Sequence, residues 1–508
     1  MHLKNFRPIL HKNSWISERS EAALGKLANA ERPSESEEIW RYSIIDSLDF
    51  DTLVQADTYR AYEHESSSPN QIDIQEQLKT SLDISSYVDY CDHVASQVVS
   101  NRAALTIIYD GVWIATEQNG VVANINNISS NDQFSDQLGT GSISMAKDTQ
   151  QTNKEDGHLL NADGISITPL PKEVPKGIES LDSLHQQDIF RLMNSAYGLG
   201  PVAINIAPDI SVEYPIVVIN ISSSCPTGVA QPDGQLDGQD GDSQDVRMST
   251  SFSTLSINIG KHAEVSIVEI VIQAPDDYGI QKLFVPATLI NIDDNASLNY
   301  ANIQLLPDSH WQIGYLESTV GRNAQLRSLG VSVGGSYART LTTSTLAGEG
   351  GSSELMSAYI ATDNQIKDMR TIQTHNARHT VSNLLFTGIA GGNSSTVYSG
   401  LIEIKPGAKG SNALQTNRNL ILSEQAKADS VPNLTIEEND VHCNHASSTG
   451  PVDPEQIYYL ESRGVDTDTA RRLIAAGFFS DIYSRNPIAS ITQFISSTID
   501  QRLNQLGD

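Results

Sequence analysis

The chain has 508 residues, 39% of them hydrophobic and 19% charged, a composition typical of a globular protein with room for more than one domain. Its 62 acidic and 33 basic residues give a net charge of −29, which argues against nucleic acid or an anionic membrane as the partner of the whole chain. No secretory signal is recognisable at the start, and the apolar run at 216–219 is far shorter than the roughly 20 residues that span a bilayer.

The three cysteines, Cys91, Cys225 and Cys443, are scattered along the chain. An odd number without regular spacing does not indicate a disulfide framework. Free thiols persist in a reducing compartment, so we expect a cytoplasmic protein.

Residues 1–102 are acidic and carry apolar residues at helical spacing, as in SERSEAALGKLANA, which predicts an N-terminal helical region. Within it, the segment EEIWRYSIIDSLDF contains Trp40 and Tyr42. We expect both rings to anchor this segment by packing.

Residues 103–450 consist mainly of short β-rich runs separated by small or turn residues. Three segments (INIGKHAEVSI, INIDDNASLNY and STVGRNAQLRS) share one form: a strand, a tight polar turn, an alanine and another strand. Their alanines, Ala263, Ala296 and Ala324, are 33 and 28 residues apart. Such a recurrence without intervening helices predicts a mainly β fold with a parallel β-helix core, two long strands to each turn. An antiparallel sandwich or barrel is the alternative that the pattern alone leaves open.

Two stretches interrupt this rhythm, at about 128–164 and 222–249. Both are polar and poor in apolar residues, which predicts flexible insertions on the surface of the solenoid. The acidic stretch 233–245 lacks the spacing of a calcium-binding loop, so an insertion is favoured over a calcium site.

Residues 451–508 return to helical patterning and predict a C-terminal helical region. Asp453 is placed to cap its first helix, with Pro454 at the first helical position. In the next helix an apolar stripe is formed by Leu473, Ile474, Phe478 and Ile482.

The segment VHCNH, at 441–445, brings a thiol and two imidazoles together. On a strand, Cys443 and His445 share one face, with His442 and Asn444 on the other. Thiolate and imidazole suit zinc or iron, but a structural zinc site takes four ligands, so the others would come from distant positions or from another subunit. The alternative is a buried free cysteine beside a histidine that caps a turn.

A second histidine pair, His375 and His379, has the four-residue spacing of a helical zinc motif. The flanking residues are strand-like, and no glutamate separates the two histidines. A structural or interface role is therefore favoured over a metal site.

From about Ile204 to Phe479 the sequence resembles the SufB/SufD scaffold subunits of the Suf iron–sulfur cluster assembly system. The blocks HNARHTVSNLLFTGI, QTNRNLILSEQAKADSVPNLTI and DVHCNHASSTGPVDPEQIYYLESRG carry this resemblance, in the same order. The segment EEIWRYSIIDSLDF is similar to one typical of SufD. The core also has few cysteines, which is more typical of SufD than of SufB.

The resemblance implies a right-handed parallel β-helix with helical ends and a scaffold that is not itself an enzyme. It also implies a SufB-like partner, or a second copy when alone, and a SufC-like ABC ATPase docked on the C-terminal helices at Leu473, Ile474, Phe478 and Ile482. A nascent cluster or iron would bind transiently at the interface of the two scaffold subunits, with His445 as a ligand and Cys443 as a weaker candidate, and none would be held stably by the isolated chain. A β-helix lyase or hydrolase acting on polysaccharides is the alternative function.

Overall fold

A computed structural model describes residues 3, 5–6, 14–56, 84–118, 121–124, 160–162, 164–176, 178, 188–223, 248–275 and 281–505, with only the backbone given at 84, 121–124 and 160–162. The two predicted insertions, and with them Cys225 and the stretch 233–245, fall largely or wholly outside these residues.

The described elements are strands forming two eleven-stranded sheets, together with seven α-helices. The helices are α1 (Ser14–Asn29), α2 (Ile84–Val98), α3 (Ile189–Tyr197), α4 (Pro454–Glu461), α5 (Thr467–Gly477), α6 (Ser480–Arg485) and α7 (Thr492–Asn504). The strands before the regular repeat are β1 (Leu53–Gln55), β2 (Ala104–Tyr109), β3 (Val112–Gln118), β4 (Val121–Asn124), β5 (Leu160–Ala162), β6 (Ile165–Pro169), β7 (Pro201–Ile206) and β8 (Ile216–Ser222).

The regular repeat comprises β9 (Met248–Ile259), β10 (Glu264–Gln273), β11 (Lys282–Ile292), β12 (Ser297–Gln304), β13 (His310–Val320), β14 (Gln325–Ser332), β15 (Tyr337–Leu346), β16 (Ser352–Ala361), β17 (Ile366–His375), β18 (Val381–Ala390), β19 (Ser395–Ile404), β20 (Asn412–Ile421), β21 (Lys427–Ile436) and β22 (His442–Pro451). Odd-numbered strands pair in parallel in one sheet, even-numbered strands in the other. The seven coils from β9/β10 to β21/β22 confirm the predicted parallel β-solenoid.

The alanine recurrence reflects the turn between the two strands of a coil. The residue before each alanine has a left-handed backbone, with φ of 58° at His262, 59° at Asn295 and 51° at Asn323. Asn and His tolerate this conformation better than most residues. The alanines that follow are buried beneath the neighbouring coils, where a larger side chain would not fit.

The parallel solenoid does not extend over the whole of the predicted 103–450. Strands β2, β3 and β4 pair antiparallel with one another, as do β5, β6 and β7. Parallel pairing begins where β2 meets β8 and β7 meets β9. These hairpins continue the two sheets at the N-terminal end of the solenoid.

Each sheet has its outer face covered by helices. Helices α1 and α3 pack on the odd-numbered sheet, whereas α2 and the C-terminal helices pack on the even-numbered one. Trp40 is an anchor as predicted, because it is buried against α3 and carries the Arg339 guanidinium 3.7 Å from its ring centre. The prediction for Tyr42 is wrong: its side chain is 46% exposed.

The interior between the sheets contains the buried Lys367, whose ammonium donates to the carbonyls of Gly334 and Gly335. Burial lowers the pKa of Lys367 to about 7, with a further contribution from Arg502. The folded chain therefore releases this proton at lower pH than the unfolded chain does.

We expect this group to make the protein more stable as the pH rises from about 7 towards 10, by up to about 1.4 kcal/mol per pH unit. Lys367→Met removes this titration, so its stability advantage over the wild type should be larger at pH 6 than at pH 9. Urea unfolding of both proteins at the two pH values measures this difference. A difference independent of pH would contradict the prediction.

Candidate functional site

The segment that carries Cys443 and His445 forms β22, the last strand of the even-numbered sheet. Cys443 pairs with Ala413, and His445 pairs with Gln415 in β20. Ala413 and Gln415 are buried and face the interior of the solenoid. Cys443 and His445 thus share the inward-facing register, as strand alternation predicts.

Although their register is inward, these side chains are accessible because β21 and β22 form the final coil. His445 is exposed, and Cys443 is half-buried against the cluster formed by Ile402, Ile404, Ala408 and Ala413. Burial raises the pKa of the Cys443 thiol. Because metals bind the thiolate, this shift makes Cys443 a weaker ligand than His445 near neutral pH.

The two strands of the final coil, β21 and β22, differ in how many backbone donors their free edges offer to another strand. The backbone N–H groups of Lys427 and Glu437 donate to the preceding coil. In β21 the N–H groups of the even-numbered residues therefore point away from that coil, along the free edge. Pro432 occupies such a position in the middle of β21, where it offers no donor.

Strand β22 has the more continuous edge. The backbone N–H of His442 donates to the carbonyl of Ser411 in the preceding coil. By alternation, the backbone N–H groups of Cys443, His445 and Ser447 point away from that coil, along the free edge. Proline occurs in β22 only at its last position, Pro451. An edge of this length is a template for pairing with another strand.

Apolar side chains are exposed at the same end of the solenoid. Leu414 is 43% exposed and Ile436 is 45% exposed. The side chains of the final coil also include Ser447, whose hydroxyl donates to Ser430 across the two strands at 2.7 Å. This end of the solenoid thus exposes both apolar and polar groups, as expected of a protein interface.

The second histidine pair is divided between a buried and an exposed position, and His375 has a structural role. His375 is buried, and its ring nitrogens contact the hydroxyls of Thr380 at 2.7 Å and Ser382 at 2.9 Å. His379 is exposed on the following turn, with a φ of 57°. In the part of the chain that the structure describes, no three His, Cys, Asp or Glu side chains lie together as a metal site.

Asp453 caps α4 as predicted: its carboxylate accepts the N–H of Glu455 at 2.9 Å. The expectation that the whole apolar stripe that follows lacks a surface of its own chain to pack against is wrong, because its residues differ in exposure. Ile482 is wholly buried, and Phe478 is partly buried in the same cluster. The even-numbered sheet offers these helices a large face of their own to cover.

An exposed surface remains on α4 and α5. Tyr458 is 73% exposed, Tyr459 is 55% exposed and Leu473 is 53% exposed, whereas Ile474 is half-buried. The tyrosine pair was not selected from the sequence, although two adjacent aromatic residues in a short helix are a usable signal. We name Tyr458, Tyr459 and Leu473 the tyrosine patch.

Among the described residues, the helices are all too short or too polar to cross a membrane.

Comparison with known proteins identifies the family. The model of the SUF system FeS cluster assembly SufBD core domain matches residues 241–478. An iron–sulfur cluster assembly SufBD family protein of Mycobacterium leprae is 30% identical over 311 residues, which are 54% of this chain and 79% of that protein.

Two relatives are named iron–sulfur cluster assembly protein SufD. The Bacillus subtilis protein is 29% identical over 50% of this chain and 57% of its own length. The Escherichia coli protein is 27% identical over 50% of this chain and 60% of its own length. With a β-solenoid between helical ends and matches of this extent, the chain belongs to the SufBD family of iron–sulfur cluster assembly proteins.

Proposed function

We propose that this chain is a SufD-type scaffold, not an enzyme, that pairs with a SufB-like subunit through the terminal coil of its solenoid. The observation that carries the proposal is the open end of the solenoid, where the unbroken edge of β22 and the exposed His445 occur together. Pairing satisfies the edge and covers Ile436 at the open end of the solenoid. Family membership weighs against the alternative of a polysaccharide-active enzyme.

In this arrangement iron, or a nascent cluster, is the cargo and binds transiently at the interface. His445 contributes an imidazole and Cys443 a thiol, a donor set that suits iron. Two protein ligands leave most of the coordination sphere to water, so the remaining ligands would come from the partner subunit. The isolated chain should therefore bind iron weakly.

The test of this site is assembly of a cluster in the complex purified with its partners from the native cell. His445→Ala should reduce the iron and sulfide incorporated per complex by at least about tenfold, because losing a ligand should cost no less than losing a residue that supports one. Cys443→Ser should have a smaller effect, because its thiol is the weaker donor. The visible absorbance and the iron and sulfide content measure incorporation.

His442→Ala is the matched control, since His442 is an exposed histidine of the same strand on the opposite face. It should assemble clusters like the wild type. Wild-type assembly by the His445→Ala complex would refute the proposed site.

We further propose that a SufC-like ATPase docks on the tyrosine patch. Exposed tyrosines and leucine on neighbouring helices are typical anchors of a protein interface. This surface replaces the stripe predicted from the sequence, of which Leu473 is the exposed member and Ile482 the buried one.

Leu473→Asp should weaken ATPase binding by at least about tenfold, about 1.4 kcal/mol, without lowering the melting temperature. Val174→Asp is the control, because Val174 is an apolar residue of similar exposure, 47%, elsewhere on the chain. Ile482→Asp, in contrast, should unfold the C-terminal helices, because it buries a carboxylate without a partner. Calorimetric titration with the ATPase checks the binding, and equal affinities of the Leu473→Asp and Val174→Asp proteins would exclude this surface.

A further inference from the structure

Gln415 is an unusual residue for the inside of a solenoid. Its side chain is 1% exposed, and neither atom of its amide has a hydrogen-bond partner in the described part of the chain. Leaving a buried polar group unsatisfied costs about 1–3 kcal/mol, whereas a leucine would fill a similar volume without that loss. The carboxamide therefore weakens the fold at this position.

The position of Gln415 is next to the proposed site. It is the ladder partner of His445, one coil further inside and on the same inward face, about 4.8 Å away along the strand-pairing direction. Its amide crosses the interior towards β19, since a Cβ added at Gly400 would lie 2.6 Å from Gln415 Nε2. Glycine at position 400 leaves room for the amide beneath the final coil.

The same space contains a second polar group. The hydroxyl of Tyr398 also lies close to that added Cβ, and it contacts Thr371 Oγ1 at 3.1 Å. The space beneath His445 is therefore polar and buried, and the amide of Gln415 has unused hydrogen-bonding capacity within the described part of the chain. A carboxamide oxygen can accept two hydrogen bonds.

We propose that Gln415 is the positioning residue of His445. When one ring nitrogen of His445 binds the metal ion, the N–H of the other is donated to the carboxamide oxygen of Gln415. Metal-bound histidines commonly donate this second N–H to a carbonyl or carboxylate, which fixes the ring and increases its basicity. This hydrogen bond also gives the buried amide of Gln415 one partner. The free energy that the unsatisfied amide costs the free protein is therefore partly recovered when the metal ion is bound. The inference rests on the proposed function, because it requires His445 to be a ligand.

The experiment is a titration of the purified wild-type complex with Co²⁺, followed by visible absorption. The part of the absorption that is absent from the His445→Ala complex reports binding at this histidine. Gln415→Leu should weaken that binding about 10–100-fold, with a melting temperature equal to or above that of the wild type. Gln415→Glu retains an acceptor oxygen and should restore the affinity to near the wild-type value.

Gln373→Leu is the matched control. Gln373 is also buried, both atoms of its amide are likewise without a partner in the described chain, and its ladder neighbours are Ser344 and Ile402, not His445. It should bind Co²⁺ like the wild type.

Wild-type affinity in Gln415→Leu would overturn the role of Gln415 and leave the proposed function intact, provided that His445→Ala still binds weakly. Equal losses in Gln415→Leu and Gln373→Leu would also overturn it, because the effect would then come from the packing of the interior. If His445→Ala binds Co²⁺ like the wild type, the proposed function itself fails.

Discussion

Replacing Asp368 with alanine should lower the free energy of unfolding by about 3–5 kcal/mol, the loss expected when a buried ion pair is left with one partner. The Asp368 carboxylate is wholly buried and accepts from Arg370 Nε at 2.8 Å and from the Tyr337 hydroxyl at 3.1 Å. Arg339 approaches the same carboxylate at 3.7 Å. Without Asp368, two guanidinium groups remain in the protein interior with no other carboxylate of the described residues in direct contact.

The effect should extend to the N-terminal segment. Arg370 donates to the backbone carbonyls of Glu38 and Arg41, and Arg339 donates to that of Ile39 while lying over Trp40. Asp368 holds both arginines in place, so its loss should also release this segment. Limited proteolysis between residues 30 and 50 should therefore accelerate in the Asp368→Ala protein.

Asp481→Ala provides the control for Asp368→Ala. Asp481 pairs with Arg418 at 2.8 Å, but both side chains are about half exposed. Surface pairs of this kind contribute about 0–1 kcal/mol. Urea unfolding compares the two variants, and a loss below about 1 kcal/mol for Asp368→Ala would show that the buried cluster does not anchor the segment.

Replacing Ser447 with proline should abolish pairing with the partner scaffold subunit while leaving this chain folded. Ser447 lies in the middle of β22, and its N–H faces outward, so proline removes no hydrogen bond to β20. Towards a partner strand, proline removes a ladder donor and blocks close approach of the two backbones. We expect affinity to fall by at least about tenfold, the equivalent of about 1.4 kcal/mol.

Ser447→Ala is the control that separates the contribution of the side chain to pairing from that of the backbone N–H. It removes the hydroxyl contact with Ser430 but retains the outward N–H. Co-purification of the partner should survive Ser447→Ala and be lost in Ser447→Pro. If both variants retain the partner and unfold at the wild-type temperature, β22 is not the pairing edge.

The amino-acid sequence by itself determined the solenoid and the local geometry of its last strand. The parallel coils were predictable because three of them repeat a turn in which a residue with a left-handed backbone precedes a buried alanine, at Ala263, Ala296 and Ala324. The common face of Cys443 and His445 was predictable because alternation is a local property of any strand.

Only the tertiary structure decided which surfaces remain free. Phe478 and Ile482 have the spacing of an exposed stripe, but a face of the even-numbered sheet lies beneath them, and sequence spacing does not show what a helix packs against. The antiparallel hairpins before β7 were missed for a similar reason, since alternation does not reveal strand direction. Gln415 lies beneath His445 although the two residues are 30 positions apart in the sequence. They are neighbours only because successive coils stack in register.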